Sequence, residues 1–60
     1  MKIYTREKVR ALSYWVRWYC NGQFHRLGPD GLPLPVKERY SREGQLMDSW
    51  HFRGGELHWS

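Results

Sequence analysis

The sequence predicts a small all-β domain, a twisted antiparallel sheet or open barrel of about five or six strands built from two hairpin units. Three observations predict it. A period-two run of aromatic and β-branched residues fills positions 14–20. Turn signals carrying glycine punctuate the chain at Asn21-Gly22, Glu43-Gly44 and Gly54-Gly55. The chain also repeats itself. With 60 residues it makes a single domain, 1–60, and a chain that short buries only about 60% of the surface it exposes when unfolded.

The repeat organises the elements. Tyr4-Thr5-Arg6-Glu7 recurs thirty-six positions later as Tyr40-Ser41-Arg42-Glu43, and at the same offset Ser13, Tyr14, Val16 and Arg17 fall on Ser49, Trp50, Phe52 and Arg53. After a three-residue deletion, Asn21-Gly22-Gln23-Phe24-His25 falls on Gly54-Gly55-Glu56-Leu57-His58. Unit one spans 2–26, a Gly/Pro loop 27–35 and unit two 36–60. Each unit reads strand, turn, strand, turn, strand. Asn-Gly and Gly-Gly suit two-residue hairpins, whose central residues need positive φ, whereas the repeat alone places a turn at Glu7-Lys8. A helix over 5–19 is the competing reading, with Thr5 as N-cap and Leu12, Trp15 and Tyr19 at helical spacing. The aromatic and β-branched run favours strands.

Within 14–20 the period of two puts Tyr14, Val16, Trp18 and Cys20 on one face and Trp15, Arg17 and Tyr19 on the other. The repeat carries Trp50 and Phe52 to the face of Tyr14 and Val16. The expected core is then Ile3, Tyr14, Val16, Trp18, Phe24, Tyr40, Leu46, Trp50, Phe52 and Leu57. In the loop, Pro29, Pro33 and Pro35 with Gly28 and Gly31 exclude a helix and a central strand.

The segment from Trp18 to Pro29, WYCNGQFHRLGP, resembles a short repeat of large-virus and bacteriophage proteins with the pattern W-Y-x-N-G-x-x-H-R-x-D-G-P-A. Tyr40 to His58 is similar to MORN-type repeats, in which successive hairpins extend an antiparallel sheet. This chain departs from the viral pattern at Leu27-Gly28-Pro29, where the pattern has an acidic residue before Gly-Pro, and at His58-Trp59-Ser60, where it has His-Arg. The resemblance implies a hairpin architecture and a phage origin, but no ligand.

Four Trp, four Tyr and two Phe supply large rings from which a short chain can assemble a core. The single cysteine, Cys20, excludes an internal disulfide and points to a reducing compartment. No apolar run follows the charged stretch MKIYTREKVR, and no segment approaches the ~20 apolar residues of a membrane span. The expected location is cytoplasmic, in a host cytoplasm if the protein is phage-encoded, with no membrane partner. The net charge of +4 sits in the first half, where Lys2, Arg6, Lys8, Arg10, Arg17 and Arg26 face Glu7 alone.

Cys20, His25, His51 and His58 are the soft metal-ligand candidates. Their spacing matches no structural zinc pattern, and the repeat equivalence of His25 and His58 gives them one structural part played twice. Cys20 and His25 flank a turn with nothing to mark an oxyanion hole, the carboxylates Glu38, Glu43, Asp48 and Glu56 are scattered, and no glycine-rich phosphate loop is present. The expectation is no catalytic, metal or cofactor site and no enzyme.

Binding is what the residues suit. Trp, Tyr and Arg are the types most enriched in interface hot spots, and Trp15, Arg17 and Tyr19, flanked by Arg6 and Arg10, form the expected partner-binding surface. The preferred reading is a small phage accessory protein that binds and modulates a host protein. The alternative is a basic nucleic-acid-binding module using an aromatic and arginine face. A homodimer is a further expectation, because self-association enlarges a core that one chain cannot complete.

Overall fold

The computed structural model describes residues 1–59. Six antiparallel strands form one open sheet: β1 (Tyr4–Arg10), β2 (Tyr14–Cys20), β3 (Gln23–Phe24), β4 (Lys37–Tyr40), β5 (Leu46–Arg53) and β6 (Glu56–Trp59). The order is β1-β2-β4-β5-β6, with β3 paired to the end of β2. The sheet does not close into a barrel, and β1 and β6 are its edges. Residues 5–19 contain no helix; they are β1, a short reversal and most of β2.

Local chemistry accounts for the two tight hairpins. Asn21 and Gly22 have φ of 52° and 80°, and Gly54 and Gly55 have 59° and 81°. Paired positive φ is the backbone a two-residue turn needs to match strand twist. Asn21 also ties down the chain start, since its Oδ1 accepts from the Ile3 N–H and its own N–H donates to the Ile3 carbonyl, both at 2.9 Å.

The turn expected at Glu7-Lys8 is not there. β1 runs unbroken through both residues and reverses at 11–13. Continuity wins because it sustains seven cross-strand pairs, from Tyr4↔Cys20 to Arg10↔Tyr14, which a turn at 7–8 would forfeit. Tyr40-Ser41-Arg42-Glu43, by contrast, ends β4 and enters a turn in which the Gly44 N–H donates to the Ser41 carbonyl. The four-residue sequence match thus joins a strand to a turn.

The face assignment of the second unit also changes. Tyr19 pairs with Phe24 and Cys20 with Gln23, while Phe52 pairs with Leu57 and Arg53 with Glu56. The two hairpins therefore superpose at an offset of thirty-three residues, not thirty-six. A slip of three, being odd, moves every side chain to the other face. Trp50 and Phe52 accordingly lie with Trp15 and Tyr19, and the Trp15 and Trp50 rings stack at 5.8 Å.

The core is smaller than expected. Val16 (5% exposed) and Val36 (4%) are its buried hydrophobic residues among those described, and Glu38 is buried with them. Tyr14, Trp18, Phe24, Tyr40 and Trp50 are half-buried, while Ile3, Leu46, Phe52 and Leu57 are exposed. The Gly/Pro loop folds back on itself through a Leu27↔Pro33 bridge and a Leu34 N–H to Arg26 carbonyl bond of 3.0 Å.

Candidate functional site: a cationic, aromatic trough

Strand pairing decides which charges meet which rings. Arg6 lies opposite Trp18, Lys8 opposite Val16 and Arg10 opposite Tyr14. Alternate residues of β1 thus present three cations on the face that carries Tyr14, Val16 and Trp18 of β2. Across β2 the same face continues into Glu38 and Tyr40, opposite Val16 and Tyr14. A cleft of about 470 Å³ opens here, lined among others by Arg6, Lys8, Tyr14, Trp18, Tyr40 and Arg42. A second cleft, of equal volume, shares Arg6, Trp18 and Arg26 with the first and extends to Tyr4 and His25. Together they make one trough across the β1–β2 face.

A partly buried ion pair supports the trough. The Arg26 guanidinium lies 3.7 Å from the Trp18 ring centroid, donates to the Pro35 carbonyl at 3.1 Å and stands 3.3 Å from Glu38 Oε1. The Tyr40 hydroxyl donates to that same oxygen at 2.6 Å. Glu38 is therefore a satisfied structural carboxylate, as burial of a charge requires. The hydrogen bond to Glu38 raises the Tyr40 pKa, helped by burial and by the Glu38 charge, while Arg26 and Arg6 pull it down. Tyr40 thus feels Arg6 from across the trough.

Glu38 compensates Arg26 alone. Among the described residues Arg6, Lys8, Arg10 and Arg42 have no ion pair. Lys8 and Arg10 are both held over the Tyr14 ring, 5.1 and 5.2 Å from its centroid. The trough is thus lined by rings and by more cations than carboxylates, Glu38 and Glu43 being its acidic members, which suits an anionic ligand with flat groups.

The residues expected to bind a partner divide between the two faces. Arg6 and Arg10 line or border the trough. Trp15, Arg17 and Tyr19 lie on the opposite face, each half-buried. Trp15 is covered by Trp50, with Lys37 4.9 Å and Arg39 5.7 Å from its ring centroid. Arg17 is paired with Glu7 at 2.7 Å, and Tyr19 stacks on Phe24 at 5.0 Å. Sequence reasoning missed Lys8, Trp18, Arg26, Tyr40 and Arg42 as site residues. The alternation Arg6, Lys8, Arg10 was the available signal, hidden by the turn assigned to Glu7-Lys8.

Among the described residues no three His, Cys, Asp or Glu side chains converge in a group able to hold a metal ion. No protein-family model, curated protein or solved structure matches the chain.

Proposed function

We propose that this protein is a non-enzymatic binding module that holds single-stranded nucleic acid along the β1–β2 trough. The observation that carries the reading is the row Arg6, Lys8, Arg10, uncompensated and set against Trp18 and Tyr14 across the strand pair. Alternate strand residues stand about 6.6–6.8 Å apart, a spacing of the same order as successive phosphates in an extended single strand. Bases stack on aromatic side chains whatever their sequence, and arginines add phosphate contacts. A base-sequence preference is not expected from this arrangement.

Fluorescence anisotropy of a labelled single-stranded oligonucleotide, titrated at several salt concentrations, tests the reading. Binding falls as salt rises, and the triple variant Arg6→Gln/Lys8→Gln/Arg10→Gln lowers the magnitude of the log–log slope by about 2, since each single-strand phosphate contact contributes about 0.7. Binding that ignores salt and the triple variant overturns it.

The second reading is a phage accessory protein, cytoplasmic in its host, that binds and modulates a host protein. The aromatic face around Trp15 and Trp50 favours it. Its signature is capture of a host protein that survives nuclease treatment, with no oligonucleotide bound.

A further inference from the structure

The face opposite the trough is built differently. Trp15 stacks on Trp50, Phe24 joins Tyr19 to Phe52 with centroids 5.0 and 5.6 Å away, and Val9, Phe52 (37% exposed), Leu57 (36%) and Trp59 (71%) extend the apolar surface toward both edges. Its two ion pairs are made within the face, and Lys37 has none among the described residues. Arg17 pairs with Glu7, Arg39 with Asp48, and Lys37 sits over the Trp15 and Trp50 rings at 4.9 and 5.0 Å.

We propose that a second copy of this chain covers this aromatic face, so that two sheets pack face to face and the two troughs point outward. Area argues for it first. A compact monomer of 7.3 kDa exposes roughly 4,200 Å², whereas this chain exposes 4801 Å². The excess, roughly 600 Å², approaches the ~800 Å² that each partner buries in a standard interface. Part of it belongs to the exposed side chains of Met1 and Ile3. The small core points the same way, because two buried valines leave both sheet faces in need of cover. Charge then selects the face. Two copies stacked through the trough would set Arg6, Lys8, Arg10 and Arg42 against their own equivalents, whereas the aromatic face brings Lys37 as its unpaired cation, with Arg17 and Arg39 already bonded to Glu7 and Asp48. Packed sheets of this kind interdigitate their inner side chains over a shared core about 10 Å thick.

Sedimentation velocity of the intact protein, run from about 1 to 100 μM chain, reads the proposal directly. The expected species has twice the 7.3 kDa chain mass, and Phe52→Lys/Leu57→Lys weakens its association at least about tenfold. Arg6→Gln/Lys8→Gln, on the other face, leaves association unchanged or stronger. Should the lysine variant not fold, the thermal midpoint of the wild-type protein keeps the proposal testable, because a dimer melts at a temperature that rises with chain concentration. A monomer across the whole range, a midpoint independent of concentration, or a dimer that Arg6→Gln/Lys8→Gln dissociates while Phe52→Lys/Leu57→Lys does not, each overturns it.

Discussion

The β2–β3 and β5–β6 hairpins share a backbone and differ in their surroundings. Both turn through two residues of positive φ, and both place an aromatic residue opposite an apolar one, Tyr19↔Phe24 in the first and Phe52↔Leu57 in the second. Each is also held by a carboxylate. In the first, Glu38 engages Arg26, two residues beyond β3; in the second, Asp48 of β5 accepts from Trp59 Nε1 of β6 at 3.1 Å and from Arg39 Nε at 2.6 Å. Yet β2 is flanked by strands on both sides and carries buried Val16, while β6 is an edge strand exposed throughout. Turn chemistry builds the hairpin, and position in the sheet decides what the hairpin contributes to stability.

Equivalent truncations should separate those two contributions most widely. Phe24→Ala removes a half-buried ring that touches Tyr19 and Phe52 and should cost about 3 kcal/mol, the low end for Phe truncation. A domain of this size has little more than that to lose. Leu57→Ala, at the equivalent edge position, should cost less than about 1 kcal/mol in dilute solution. Urea denaturation of both variants checks the difference. If a second copy covers the aromatic face, the cost of Leu57→Ala grows with chain concentration.

Sequence made the elements legible and the faces only partly so. Asn21-Gly22, Gly54-Gly55 and the alternation over 14–20 depend on local backbone preference, which short segments express on their own. The face of a later strand depends on the parity of every connection before it. One odd slip in the repeat alignment was enough to put Trp50 beside Tyr14 instead of Trp15. Arg6 and Arg10, expected to flank the Trp15, Arg17 and Tyr19 surface, instead stand opposite Trp18 and Tyr14, because the length of the 11–13 reversal sets the register of β1 on β2. Burial of Val36 and Glu38 was not legible, since it arises from where the Gly/Pro loop delivers β4 between β2 and β5.

The turns allow a smaller and reciprocal test. Asn21→Gly keeps a residue that tolerates φ of 52° but loses the side-chain acceptor of the Ile3 N–H; the expected cost is about 1 kcal/mol. At Gly54, φ is 59° and a Cβ would meet nothing within 4 Å. Asn accepts that conformation, so Gly54→Asn should be neutral or stabilise by up to about 0.5 kcal/mol through the unfolded chain. Thermal melts of the two swaps should therefore shift in opposite directions, or one should not shift at all. Equal losses would mean that the turns, not their surroundings, set the difference between the hairpins.

The smallest expected effects lie at the two ends of the pH scale, one for each carboxylate clamp. Tyr40, bonded to Glu38, keeps its proton to a higher pH folded than unfolded, because the hydrogen bond, burial and the Glu38 charge all disfavour the phenolate. Its contribution is complete below its ordinary pKa of 10.0 and is lost as pH rises through the folded value. Asp48 runs the other way. Hydrogen bonds from Arg39 and Trp59 and the Arg39 charge hold its carboxyl below the ordinary 3.8 against the opposing effect of burial. Its contribution is complete above that value and is lost as pH falls through the folded one. Thermal midpoints followed across pH should thus decline less steeply above pH 10 in Tyr40→Phe, and less steeply below pH 4 in Asp48→Asn, each relative to wild type. The acid change should be the weaker, since solvent reaches the Asp48 clamp and screens it. A wild-type acid limb that Asp48→Asn leaves intact would mean that the β6 edge is held by its backbone ladder to β5 alone.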